Sequence, residues 1–340
     1  MNVGNTILSI IVSLLVAIFS TMAAQFHKET LVVDAKNFNA PLGVAYFGVL
    51  FMLPLYPSYL LYRVIGTGAK ASDINQEAVQ ILMRKEKFHS IPILMLALLI
   101  SLCLWVNPTY LFGFAIKYIS VSVAMSVMSL NAAFVFILSI TLLGAKFSWF
   151  KALGVVLSVT GVVSLSMDKE FTGNLWGVLI ILVATISVTI YNVLIKRVFG
   201  EPSLCQVLFF QSLMGLANVV YLTIPVGLLV WTEVEHFVFS KIPWTPLLLY
   251  CFSILLYSVT MNFGISLLSP LVISIGVILG VPMNGLCDIV IRGLQASFWF
   301  YIGATLITVG FCLTTLPIDN WIQKKEENID DEVEKASPTL

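Results

Sequence analysis

A helix needs about 20 consecutive apolar residues to cross the hydrocarbon core of a bilayer, and this chain supplies such stretches repeatedly. They run near 4 to 24, 41 to 64, 91 to 116, 121 to 143, 149 to 166, 175 to 195, 204 to 231, 243 to 264, 268 to 291 and 297 to 317. Composition agrees: the 340 residues are 59% apolar and 11% charged with a mean hydropathy of +0.98, whereas a soluble domain carries roughly 25% charged residues. No soluble fold hides that much apolar surface. The formal net charge is zero and the pI near 6.8, so no basic field draws nucleic acid. The expected fold class is all-α integral membrane, with ten transmembrane helices.

The run from Val3 to Ala24 lacks a basic segment before it and exceeds the roughly 7 to 15 apolar residues of a secretory signal, so it reads as the first span. All five cysteines, Cys103, Cys205, Cys251, Cys287 and Cys312, fall inside apolar runs with no CxxC pair. That pattern argues against a disulfide framework or zinc site and fits small buried apolar residues.

Lysine and arginine accumulate in cytoplasmic loops. With the N-terminus in the cytoplasm, Arg63, Lys70, Arg84, Lys85, Lys87, Lys146, Lys151, Lys196, Arg197, Lys324, Lys325 and Lys335 fall inside. Lys28, Lys36, Lys117, Lys169, Lys241 and Arg292 fall outside, a bias of 12 to 6. Both termini are then cytoplasmic, with plasma membrane and Golgi both open as the compartment. Residues 65–90 carry mixed charge and read as a solvated cytoplasmic loop; the tail, 318–340, has seven acids against three lysines and reads as disordered. Tags after Lys70 and at the C-terminus are expected to react only from the cytoplasmic face of intact cells, and labelling on opposite faces would remove the ten-span topology.

The sequence also repeats itself. At an offset of 149 residues, Phe114 matches Phe263, Ile116 matches Ile265, Ser120 matches Ser269, Val123 matches Val272, Leu130 matches Leu279 and Ile140 matches Ile289. The match continues through Gly144 and Gly293, Ser148 and Ser297, Gly154 and Gly303, Leu157 and Leu306, and Gly161 and Gly310, eleven identities in 48 positions. Glycines at the same helical spacing, in GVVLSVTG and GATLITVG, mark places where another backbone approaches closely. The unit is five helices, an odd number, so its second copy enters the membrane in the opposite sense. The expected domains are a first repeat over 1–166 and an inverted second repeat over 175–317. Such pairs support alternating access around a central site.

The motifs NPTYLFGFAIKYISVS (107–122), NAAFVFILS (131–139), YNVLIK (191–196) and SPLVISIGVILGVPMNGLCD (269–288) resemble the drug/metabolite transporter superfamily, and within it the thiamine-transporter-like branch of solute carrier family 35 subfamily F. The resemblance implies a secondary transporter of a small organic solute, with thiamine or a related cationic metabolite as leading substrate. A nucleotide-sugar or other metabolite exchanger is the alternative, and a non-transporting membrane receptor or scaffold is the alternative of another class.

Six residues are expected to bind substrate. Asp288 is the sole acid inside any predicted span, where a carboxylate is expensive and functional by default; an interfacial pair with Arg292, four residues on, is the competing role. Asn131 lies near the centre of helix 4 and Asn284 one turn from the equivalent point of helix 9, where each either meets substrate or bonds a neighbouring helix. Asn107 and Tyr110 flank the helix 3 proline, and Tyr191 lies in the inner half of helix 6; the tyrosines offer cation–π faces or ordinary aromatic contact. The central site is expected between helices 3, 4, 8 and 9. His27, His89 and His236 read as loop residues, and no span holds two carboxylates or a ligand cluster, so neither catalysis, a metal nor a cofactor is expected. The expected partners are a small-molecule substrate and the lipid bilayer, with a homodimer admitted and nucleic acid not.

Overall fold

The computed structural model describes residues 3–34, 37–84, 87–88, 91–119, 121–144, 147–166, 175–200, 202–268, 270–293 and 298–315. Thirteen α-helices are described: α1 (Val3–Val32), α2 (Pro41–Leu50), α3 (Leu55–Thr67), α4 (Ala71–Val79), α5 (Ile91–Ala115), α6 (Val121–Met128), α7 (Asn131–Leu143), α8 (Trp149–Ser166), α9 (Leu175–Phe199), α10 (Leu204–Trp231), α11 (Trp244–Leu267), α12 (Pro270–Arg292) and α13 (Phe298–Thr315). The strands are two-residue contacts between loops: β1 (Phe38–Asn39) with β4 (His236–Phe237), and β2 (Met83–Arg84) with β3 (Lys87–Phe88). The acidic tail, including everything expected of 318–340, lies outside the described residues.

Every predicted span falls on helix. Among the described residues six stretches are long and apolar enough to cross a membrane, and four shorter apolar helices, 131–143, 149–161, 276–291 and 301–310, cover the other predicted spans in part. The outer surface carries large apolar side chains such as Ile224, Val290 and Ile291, each at least 70% exposed. Water would penalise that surface and hydrocarbon does not. Trp149, Trp176, Trp231, Trp244 and Trp299, all exposed, sit at helix ends, where the amphipathic indole meets the headgroup layer.

Two predicted spans are divided. In the second, Pro54 has no amide proton and the chain tightens into i→i+3 bonds, Met52 N–H to the Val49 carbonyl at 3.0 Å and Leu53 N–H to the Leu50 carbonyl at 3.1 Å. The freed backbone groups find Ser212 of α10, whose hydroxyl donates to the Met52 carbonyl (3.2 Å) and accepts from Tyr56 N–H (2.8 Å). Gly215 admits this corner, since a Cβ there would lie 2.7 Å from Leu53 N. The fourth span tightens between α6 and α7, with Leu130 N–H bonding the Val127 carbonyl at 3.1 Å. The helix α12 carries a proline in its interior, Pro282.

The connection over 65–90 is not wholly irregular. Its helix α4 buries Ile74 and Ala78, one turn apart, against Tyr56 and Cys205.

Helix neighbours come in matched sets. α1 packs on α11 and α12, while α9 packs on α5, α6 and α7; α2 and α3 pack on α10, and α12 on α6 and α7. The most extensive contact joins α8 to α13. There the four repeat glycines meet: a Cβ on Gly161 would lie 2.7 Å from the Gly303 carbonyl oxygen, and one on Gly310 would lie 2.5 Å from that of Gly154.

Candidate functional site

Where α1, α5, α9 and α11 converge, with α6 and α12 beside them, they line a cavity of about 100 Å³. The lining residues recur at three- and four-residue spacing: Ser20, Ala24 and His27 on α1; Trp105, Thr109 and Phe112 on α5; Val188 and Tyr191 on α9; Tyr250, Ile254, Tyr257 and Met261 on α11. Met125, Met128 and Val277 complete the wall, and none of its described residues is Lys, Arg, Asp or Glu. Trp105 lies between two tyrosines, its ring centroid 5.1 Å from that of Tyr191 and 6.3 Å, near-parallel, from that of Tyr257.

Of the six residues expected to bind substrate, Tyr191 lines this cavity, fully buried, its hydroxyl donating to Asn262 Oδ1 at 3.2 Å. Asn131 is buried and its Oδ1 accepts from Thr189 Oγ1 of α9 at 2.9 Å. Asn284 is buried, donates to the Gly280 carbonyl at 2.8 Å and accepts from Gln25 Nε2 of α1 at 2.9 Å. The two asparagines thus each bond a neighbouring helix, α9 and α1. Asn107 donates to Ser187 Oγ at 3.1 Å, and Tyr110 packs on Phe114. These four are not among the cavity's described lining. Asp288 is on α12, but its side chain and that of Arg292 lie outside the described residues. All four helices expected around the site contribute to the wall, joined by the first and sixth spans.

His27 corrects a reading of the sequence. It is not in a loop: α1 runs on to Val32 and buries it beside Tyr250, ring centroids 4.8 Å apart. Lys28 and Glu29 disguise the continuation, yet the buried set Ser20, Ala23, Ala24, His27, Thr30 and Leu31 keeps the helical period and was legible. His27 Nε2 and the Tyr250 hydroxyl have no hydrogen-bond partner among the described residues.

Two carboxylates outside the spans tie one half of the chain to the other. Glu235, buried in the connection between α10 and α11, accepts from the N–H groups of Leu42 (2.7 Å) and Gly43 (3.1 Å) in the first turn of α2. Beside it Phe38 pairs with Phe237 and Asn39 with His236. Burial raises the Glu235 pKa, opposed by the two amide donors and by Lys117; the helix terminus also favours its charge. Glu77 of α4 makes the counterpart, accepting from the hydroxyl of Ser203, the N-cap of α10, at 2.7 Å. Its backbone carbonyl accepts from Gln206 Nε2 at 3.2 Å. Glu235 follows α10 and holds the start of α2, and Glu77 follows α3 and holds the start of α10. Among the described residues, no three His, Cys, Asp or Glu side chains gather as a metal site.

Residues 78–167 match the family model for the EamA-like transporter family. Solute carrier family 35 member F3 of Homo sapiens is 29% identical over 230 residues, covering 65% of this chain and 53% of its own. Member F4 of Homo sapiens is 23% identical over 313 residues, 88% of this chain and 60% of its own, and member F5 of Bos taurus 28% over 193 residues, 52% and 35%. The chain therefore spans about half the length of the first of these curated relatives. One solved crystal structure superimposes with a TM-score of 0.59 at 13% identity, covering 89% of this chain and 96% of its own, a likeness of fold alone.

Proposed function

This chain belongs to the drug/metabolite transporter superfamily, with relatives in subfamily F of solute carrier family 35, and from that premise we propose that it carries a small, flat, cationic organic solute by alternating access. The observation that carries the reading is the wall of Trp105, Tyr191, Tyr250 and Tyr257 around a central cavity without charged residues among its described lining. A cation over aromatic faces gains about 0.5 to 2 kcal/mol each, most when desolvated. Thiamine, flat-ringed and permanently cationic, suits such a wall. A nucleotide sugar suits it less, because its phosphates need Arg or Lys partners to offset desolvation.

Small-molecule sites measure about 300 to 1,000 Å³, so a cavity of about 100 Å³ must widen to admit a solute. We take the Glu235 and Glu77 clasps as the opposing latches that this movement releases in turn. The matched helix neighbours and matched clasps support the inverted five-helix repeat, over 1–166 and 175–317, as the source of that alternation.

The test is uptake into proteoliposomes holding the purified chain. Saturable accumulation of labelled thiamine, competed by excess unlabelled thiamine, is expected; uptake of a nucleotide sugar in its place would replace the substrate, and no saturable uptake of any solute would return the receptor or scaffold reading. Asp288 has a separate place in the scheme as solute or proton partner. Asp288→Asn is expected to abolish uptake per folded molecule with nearly normal protein amount. If Arg292→Ala instead matches it through lower abundance, while surviving protein transports normally, the pair is interfacial and structural.

A further inference from the structure

The geometry points to His27 and Tyr250 as the hydrogen-bonding pair that selects the solute, and to a planar amino-heteroaromatic ring with adjacent donor and acceptor as the class it selects. This rests on the transporter reading but adds a specificity that charge alone does not give, since an uncharged ring with that edge also qualifies.

Polar groups around the cavity differ in what they have to surrender. Among the polar lining residues, Tyr191 is bonded to Asn262, Ser20 to the Ala17 carbonyl and Thr109 to the Trp105 carbonyl; a solute bonding any of them must first break an existing bond, so the exchange gains little. His27 and Tyr250 are 2% and 1% exposed, line the cavity, and leave Nε2 and the hydroxyl unpartnered among the described residues. A buried polar atom without a partner raises the energy of the empty state, so a solute that supplies one recovers the whole penalty.

The place of the two atoms suits them to be uncovered on opening. Nε2 lies against Gly113 of α5, where a Cβ would come within 2.6 Å, and the hydroxyl against Gly48 of α2, where a Cβ would come within 3.1 Å. Widening the cavity at this end moves α5 or α2 off these two atoms in particular. The imidazole and the phenol are adjacent, ring centroids 4.8 Å apart, so a single ring edge that carries both a donor and an acceptor is the complement we assign to the pair. Phe112, 5.7 Å from the His27 ring, and Trp105 offer flat faces nearby.

The test compares probes that differ in that edge. Purified full-length protein is titrated with thiamine and with 3-benzyl-5-(2-hydroxyethyl)-4-methylthiazolium, which keeps the cation but replaces the aminopyrimidine by phenyl; cytidine and adenosine are the uncharged carriers of the edge. Wild type is expected to bind at least one amino-heteroaromatic tenfold or more tightly than the benzyl compound. Tyr250→Phe and His27→Phe, with His27→Ala should phenylalanine not fit, are expected to erase that preference, bringing the ratio of the amino-heteroaromatic to the benzyl affinity within twofold of one. Tyr250→Phe removes an atom that has no partner among the described residues, so the empty protein should melt no lower than wild type; a merely structural hydroxyl would lower it. Equal wild-type affinities, a preference that survives in the variants, or no binding of any amino-heteroaromatic overturns the inference. Any of these can coexist with saturable uptake of another solute, which would leave the transporter reading standing.

Discussion

Gly161→Leu and Gly310→Leu are each expected to lower the melting temperature of the solubilised protein sharply, through a loss of at least about 3 kcal/mol, the upper range for overpacking a filled interior. The obstacles are backbone: the Gly303 carbonyl oxygen and Ile307 N lie 2.7 and 3.1 Å from a Cβ on Gly161, and the Gly154 carbonyl oxygen and Ser158 N lie 2.5 and 3.0 Å from one on Gly310. A side chain can turn aside, but a helix backbone moves only as a whole, so α8 and α13 must separate along their length. Gly227→Leu, on α10 with nothing within 4 Å of its Cβ position, is the control and should melt as wild type. Unchanged melting in both repeat variants would mean that these glycines face lipid.

The clasps should respond with crossed specificity, because each has a buried cysteine near it. Cys205, whose thiol faces the Ile74 carbonyl, lies beside Glu77; Cys251 follows Tyr250 in the first turns of α11, at the end that Glu235 closes. With Cys103, Cys287 and Cys312 replaced by serine, Glu235→Ala is expected to speed maleimide modification of Cys251 about tenfold to a hundredfold and leave Cys205 unchanged. Glu77→Ala should do the reverse. The factor follows from hydrogen bonds to a charged group, about 1.5 to 3 kcal/mol each, at 1.4 kcal/mol per tenfold. Equal acceleration of both thiols by either variant would indicate general loosening and remove the latch reading.

The candidate site was only partly legible. Asn131 and Asn284 stood out because an amide in hydrocarbon needs an explanation, but sequence could not say whether substrate or a neighbouring helix supplied it; the structure supplies Thr189 and Gln25. The residues expected to bind substrate include Tyr191 but not Tyr250, Tyr257 or His27, which line the same cavity. Tyrosines in an apolar run look like filling, and a histidine followed by Lys28 and Glu29 looks like the end of a span.

By itself the sequence determined what the bilayer dictates. Hydrocarbon leaves the backbone no partner but itself, so each apolar stretch was bound to become helix, and Gly154, Gly161, Gly303 and Gly310 already marked where helices meet without side chains between them. Only tertiary structure decided the remainder, because its partners are far apart along the chain: Ser212 bridging the break at Pro54, Glu235 reaching Leu42, Glu77 reaching Ser203, and the stripes of α1, α5, α9 and α11 turning inward on one cavity. Helical periodicity says which residues share a face. Which face looks at lipid and which at another helix depends on how the whole set of helices shares its contacts, and no local stretch contains that information.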